Sequence, residues 1–194
     1  TFNITQSPSI TIVTSFTNVN CNAQCNGAAS ATASGGTGAL TFTWVAPGNT
    51  TVSTTQNANA LCAGVYTIFV KDFNNCTTQS VVTITQPPAL TITAQTQSIL
   101  CFGSCSGAAT VVATGGNGSP YTATWSPAGS GTVSSGLCAN TYTVAITDAS
   151  ACPISTVFTI AQPSSITINI STTSLTCNSV CNGAINFTTT GGIL

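Results

Sequence analysis

The sequence predicts an all-β chain of tandem, disulfide-stapled sandwich domains, and three observations carry that prediction. One phrase recurs: CNAQCNGAASATASGG at 21–36 returns as CFGSCSGAATVVATGG at 101–116 and as CNSVCNGAINFTTTGG at 177–192. After the second cysteine of each copy, apolar residues alternate with polar ones at period two, the pattern of half-buried strands. Ten cysteines recur at regular places in a chain that has no histidine. That combination reads as a disulfide framework, hence an oxidising compartment outside the cytosol, rather than as a zinc site.

The repeat sets the domain organisation. Cys21 to Cys101 spans 80 residues and Cys101 to Cys177 spans 76. Other landmarks keep step: Trp44 with Trp125, Cys62 with Cys138, Asp72 with Asp148, Cys76 with Cys152, and Gln86-Pro87 with Gln162-Pro163. The expected division is therefore the tail of one repeat at 1–8, whole repeats at 9–88 and 89–164, and the opening of a further repeat at 165–194. A period near 78 is too long for a solenoid coil and suits a small independent domain. Both ends fall inside repeats, so the natural chain is expected to continue in both directions, with the given sequence a mature or trimmed segment.

Within a repeat the elements follow in order. About seven strands are expected in each repeat, in the first at roughly 9–15, 27–34, 40–45, 50–55, 57–61, 65–71 and 77–85. After the second cysteine, Ala29, Ala31 and Ala33 share one face, matched by Ala109, Val111 and Ala113 and then by Ile185 and Phe187. The third strand puts Leu40, Phe42 and Trp44 together, matched by Tyr121, Ala123 and Trp125. The sixth puts Tyr66, Ile68 and Val70 together, matched by Tyr142, Val144 and Ile146. Turn signals separate the strands at Gly35-Gly36, Pro47-Gly48, Ala63-Gly64 and Asn74-Asn75. A Trp on the third strand and a Tyr at the start of the sixth point to an immunoglobulin-like sandwich with a tyrosine corner. Trp44, Trp125, Tyr66 and Tyr142 are accordingly assigned to the core rather than to a ligand. The short Gln-Pro junctions predict a succession of domains with limited bending.

Composition excludes most chemistry. The charged residues are Lys71, Asp72 and Asp148 alone, and His, Arg, Glu and Met are absent. General acid–base catalysis needs a group titrating near working pH, and a His-based triad has no histidine to use. Two isolated aspartates make no calcium cage, and nucleic-acid binding needs clustered Lys or Arg. The sequence thus points to no enzyme, no catalytic residue, no metal, no cofactor and no nucleic-acid partner. No apolar run reaches the 18 residues of a membrane helix, so membrane insertion is not expected. Solubility rests on hydroxyls and amides, since roughly a third of the residues are Ser or Thr, a strand-favouring composition. Asp72 and Asp148 read as turn caps. Six Asn-x-Ser/Thr triplets, at Asn3, Asn49, Asn75, Asn117, Asn169 and Asn186, make glycosylation an open question.

Each whole repeat resembles the SprB repeat, a PKD-like sandwich module of Bacteroidota surface proteins. The resemblance lies in CFGSCSGAATVVATGG, PYTATW (120–125), LCANTYTVAITDASAC (137–152) and TIAQP (159–163). In the first repeat the same features are CNAQCNGAASATASGG, LTFTW, LCAGVYTIFVKDFNNC and TITQP. Asn140 stands where the family carries Gly. The resemblance implies a very large repetitive protein, exported by the type IX system and displayed on the cell surface. Its relatives include gliding-motility adhesins, and the repeat brings no catalytic residues to carry over.

The sandwich reading places Cys25 at the start of the second strand and Cys62 just before the tyrosine corner, at one end of the domain. It therefore pairs Cys25 with Cys62 and Cys105 with Cys138, each closing a loop worth about 3–4 kcal/mol. The partners of Cys21, Cys76, Cys101, Cys152, Cys177 and Cys181 stay open. Family variants with two cysteines keep the positions of Cys21 and Cys76, which implies a bond between them. The sandwich instead puts these two at opposite ends, beyond the roughly 7 Å that a disulfide spans between Cα atoms. Cys21 would then bond the next repeat, at Cys152.

These readings converge on a structural repeat of a long extracellular filament or stalk. Uncharged strand edges lack the usual protection against pairing and electrostatic repulsion is nearly absent, so self-association between neighbouring repeats or chains is the expected partnership. The alternatives are an adhesin repeat that binds surface glycans and a spacer in a secreted multidomain enzyme.

Overall fold

The repeated phrase contains a strand start that leaves no room for a side chain. In the computed structural model, which describes residues 6–127, 129, 131–177 and 181–192, a Cβ on Gly27 would lie 2.8 Å from Ile84 Cγ2 and 2.9 Å from the Leu61 carbonyl oxygen. Gly107 meets Ile160 and Leu137 in the same way. Eight residues on, the chain must reverse. Gly35 and Gly36 both take positive φ, and a Cβ on Gly35 would strike the Ser9 carbonyl oxygen. Gly115-Gly116 and Gly191-Gly192 repeat the turn. The recurring sixteen residues thus encode a reverse turn, a crowded strand start and a second turn.

The described residues form two units. The first runs to Thr91 and takes in Thr114–Pro120 and Asp148–Cys152; the second comprises Ile92–Ala113, Tyr121–Thr147 and the chain from Pro153 onward. Two turns that belong by sequence to the second repeat are therefore grouped with the first unit.

In the first unit the strands are β1 (Thr11–Thr17), β2 (Gly27–Ser34), β3 (Thr41–Ala46), β4 (Thr50–Ser53), β5 (Asn57–Leu61), β6 (Gly64–Lys71) and β7 (Thr77–Ile84). They build one sheet ordered β1-β2-β5 and another ordered β4-β3-β6-β7, with every pair antiparallel. The core lies between them. Ala29, Ala31, Ala58 and Leu61 come from the first sheet, and Trp44, Tyr66, Ile68, Val70, Val82 and Ile84 from the second. Small residues on one sheet face large ones on the other, which lets Trp44 be fully buried and still donate its Nε1–H to the Gln56 carbonyl at 3.3 Å.

The second unit repeats the plan with β8 (Thr91–Gln97), β9 (Gly107–Thr114), β10 (Thr122–Ser126), β11 (Val133–Leu137), β12 (Asn140–Thr147) and β13 (Pro153–Ile160). Its sheets are β11-β9-β8 and β10-β12-β13. Here the expectation of about seven strands needs correction, because among the described residues the second repeat has six. Trp125 to Cys138 is five residues shorter than Trp44 to Cys62, and the shortening falls where β4 would be. Trp125 is only partly buried and packs edge-on against Phe158, with ring centroids 5.5 Å apart. The chain is all-β, a tandem of immunoglobulin-like sandwiches, and its described part contains no helix.

Strands β14 (Ser164–Thr173) and β15 (Ala184–Gly192) form an antiparallel hairpin in the same register as β1 with β2: Thr167 opposes Thr190 as Thr11 opposes Ser34. Among the described residues no second sheet covers it, and Ile166, Ile168, Ile170, Ile185 and Phe187 are exposed. The hydroxyls of these cross-strand pairs bond each other: Thr11 with Ser34 at 2.8 Å, Thr91 with Thr114 at 2.8 Å and Thr167 with Thr190 at 2.6 Å.

Candidate functional site

Two recurring turns make the chemically distinctive part of the chain. The first opens the repeated phrase. Cys21 starts a tight reversal in which Gln24 N–H donates to the Cys21 carbonyl at 3.2 Å, with Ala23 at positive φ. The Gln86 side chain accepts the Ala23 N–H at 2.9 Å, and Asn22 Nδ2 donates to the Pro87 carbonyl at 2.9 Å. Ahead of the turn, Asn26 Oδ1 accepts the Asn20 N–H at 3.0 Å. The copy at Cys101 keeps two of these pins: Ser104 N–H to the Cys101 carbonyl at 3.2 Å, and Gly103 N–H to Gln162 Oε1 at 2.9 Å.

The second turn carries the fourth cysteine. Asp72 N–H donates to the Cys76 carbonyl at 3.0 Å, and Cys76 N–H returns to Asp72 Oδ1 at 2.9 Å. The other carboxylate oxygen, Oδ2, accepts the Thr37 N–H at 2.9 Å, tying this turn to the Gly-Gly turn. Asp148 does the same, accepting from Ser150 and Cys152 through Oδ1 at 2.9 and 3.0 Å and from Asn117 N–H through Oδ2 at 2.7 Å. Both aspartates are almost fully covered, at 4 % and 5 % exposure. The Thr37 N–H, more than any other group, holds the Asp72 carboxyl below its ordinary value of 3.8, with the Cys76 and Asn74 backbone helping and desolvation opposing. The Asn117 N–H leads for Asp148, whose carboxyl is lowered in the same sense.

Inside the first unit these two kinds of turn are joined. Cys21 and Cys152, 131 positions apart, form a disulfide with Cα atoms 5.6 Å apart. Beside it Asn117 Nδ2 donates to the Asn20 carbonyl at 2.7 Å. Cys21 and Cys152 are buried, whereas Cys76, Cys101, Cys177 and Cys181 are exposed free thiols. Cys21 is thus not paired with Cys76. Cys25 is bonded to Cys62 and Cys105 to Cys138. Directly after each of those cystines, a tyrosine hydroxyl donates back to the chain: Tyr66 to the Cys62 carbonyl and Tyr142 to the Cys138 carbonyl, both at 3.1 Å.

By sequence the aspartates are local caps and the Gln-Pro pairs are linkers. The structure gives both a longer reach, from Asp72 to Thr37 and from Gln86 to Ala23. The recurrence of Gln before Pro at each junction was the available signal. Of the Asn-x-Ser/Thr triplets, Asn117 has its amide committed to Asn20, Asn49, Asn75, Asn169 and Asn186 are exposed, and Asn3 lies outside the described residues. Among the described residues no group of three metal-binding side chains occurs, and no helix is long and apolar enough to cross a membrane.

The sequence model of the SprB repeat family matches residues 13–49 and 93–130. Both segments are SprB repeats. Each match contains the Cys-x-x-x-Cys turn, the Gly-Gly turn and the third-strand tryptophan, fully buried at Trp44 and partly buried at Trp125, and stops before the Asp-x-x-x-Cys turn. The SprB repeats here are therefore surface-protein repeat modules on an immunoglobulin-like scaffold. A solved structure of the N-terminal eight Ig domains of Down Syndrome Cell Adhesion Molecule, isoform 1.30.30, is similar at 12% identity and a TM-score of 0.43. The similarity covers 80% of this chain and 25% of that one, so the chain spans about a quarter of that structure's length. No curated protein matches the sequence.

Proposed function

We propose that this chain is a structural segment of an extracellular surface filament or stalk, in which SprB repeats supply length and stiffness rather than catalysis. The observation that carries the reading is the Cys21–Cys152 disulfide, which ties cysteines that the sequence assigns to successive repeats. A covalent tie of this kind resists extension in a way that a peptide linker alone does not. Support also comes from the surface. With a net charge of −1, the exposed strands carry hydroxyls and amides and little that would repel a neighbouring strand, so association with further repeats or chains is the partnership this chemistry favours.

The test is electron microscopy of the purified chain and of the surface material of the cells that make it. Extended fibres labelled by an antibody to this segment are the expected result. Isolated globular particles from both sources would overturn the reading.

A further inference from the structure

The first unit holds one finished cystine junction, Cys21 with Cys152, and the chain holds the two halves of another. Cys76 sits in a turn pinned as Cys152 is. Asp72 N–H to the Cys76 carbonyl, Cys76 N–H to Asp72 Oδ1 and Asn75 N–H to the Asp72 carbonyl match the corresponding bonds of Asp148, Ala151 and Cys152. Asn75 and Ala151 even share a positive φ, 66° and 61°. Cys101 sits in a turn pinned as Cys21 is, through Ser104 and Gln162.

Both half-sites are formed in advance and both are open. A cavity of about 340 Å³ borders Cys76, lined by Pro8, Ile10, Gly36 and Asp72 among others. One of about 420 Å³ borders Cys101, lined by Leu100, Phe102, Pro163, Ile166 and Gly192 among others. Apolar side chains flank them: Phe73 is 77 % exposed, and Leu100 and Phe102 are also exposed. Their counterparts at the finished junction are Ala149, Asn20 and Asn22. In that junction, the first-cysteine turn is covered by an Asp-x-x-x-Cys turn. The same covering is what Cys101 lacks, and Cys76 lacks the reverse.

We propose that Cys101 is a docking thiol for the Asp-x-x-x-Cys turn of a following SprB repeat, and that Cys76 receives the first-cysteine turn of a preceding one. The first cysteine of each repeat thus bonds the fourth of the next, and the rule rests on the tandem reading above. In each bond two thiols lose two protons and two electrons. A small-molecule disulfide such as oxidised glutathione takes them up and leaves as two thiols.

The test duplicates residues 89–164 directly after residue 164, oxidises the chain in a glutathione redox buffer and counts alkylatable thiols. Although four cysteines are added, the count should stay at four, the number now free, with a disulfide linking the first Cys101 to the duplicated Cys152. Cys101→Ser in the first copy should then raise the count by one, since it strands a partner, whereas it lowers the count by one if Cys101 was free. A mirror variant duplicating residues 9–88 tests Cys76 in the same way, so a folding failure in one variant leaves the other to decide. A count that rises by two, or disulfide-linked dimers joined through Cys76 and Cys101, overturns the proposal. Fibre imaging is independent of this count, so the bonding rule can fail while the filament reading stands.

Discussion

The Asp72 carboxylate and the Thr37 backbone N–H meet at 2.9 Å across 35 positions of chain, and Asp148 meets Asn117 at 2.7 Å in the second repeat. Each contact fastens the turn before the fourth cysteine to the Gly-Gly turn. A Cβ on Gly116 would strike the Asp148 carboxylate, so the glycine leaves room for the acid to reach across.

Acid should therefore weaken the fold in one narrow window. Both carboxyls are held below 3.8 in the folded state, so on acidification the unfolded chain takes up protons first. Their stabilisation is complete above about pH 5 and drains away as pH falls through 3.8 toward the lower folded values. Urea midpoints measured from pH 7 down to pH 2 should be flat and then fall. The Asp72→Asn, Asp148→Asn double variant should start lower and lose less. A midpoint that climbs on acidification would refute this account.

Gln86 and Gln162 should behave as structural residues rather than as linker. Gln86→Ala leaves the Ala23 N–H without its partner, and Gln162→Ala does so for Gly103. Each substitution should cost about 1 kcal/mol in chemical denaturation. Replacing an exposed threonine such as Thr83 on β7 should change the midpoint little by comparison.

Gly27→Ala should destabilise by about 1–3 kcal/mol, because the new methyl overlaps Ile84 on one side and a backbone carbonyl on the other. Backbone cannot retreat as a flexible side chain can. Circular dichroism thermal melts would read the effect, and an unchanged melt would show that β2 can slide away from Leu61.

Replacing Cys105 and Cys138 together by serine should cost about 3–4 kcal/mol, the loop-closure entropy for a bond spanning 33 positions. The lost stability should equal that seen when the unaltered chain is reduced at this bond alone, a comparison that differential alkylation makes possible.

The sheets were largely legible in the sequence because each inward face is written twice. Tyr66, Ile68 and Val70 and their partners Tyr142, Val144 and Ile146 are all buried. Period-two alternation depends only on which side of a strand meets solvent, and that is local information. The turns carry glycine for steric reasons, which is local information too. The long ties were less legible. Nothing in the order of residues says that the Gln86 side chain bends back 63 positions to Ala23, or that Asn117 reaches Asn20. Those contacts exist only once the strands have brought distant turns together. That the described residues of the second repeat hold no counterpart of β4 fits the shorter interval between Trp125 and Cys138, which shows only when spacing rather than composition is measured.

The paired hydroxyls of Thr11 with Ser34 and Thr91 with Thr114 have a consequence for where such a molecule can work. Dissolved ions screen fixed charges and leave alcohol-to-alcohol bonds almost untouched. A surface built this way keeps its cohesion from rainwater to brine, and apart from one exposed lysine and two sheltered aspartates it gives a shift in salinity or acidity very little to act upon.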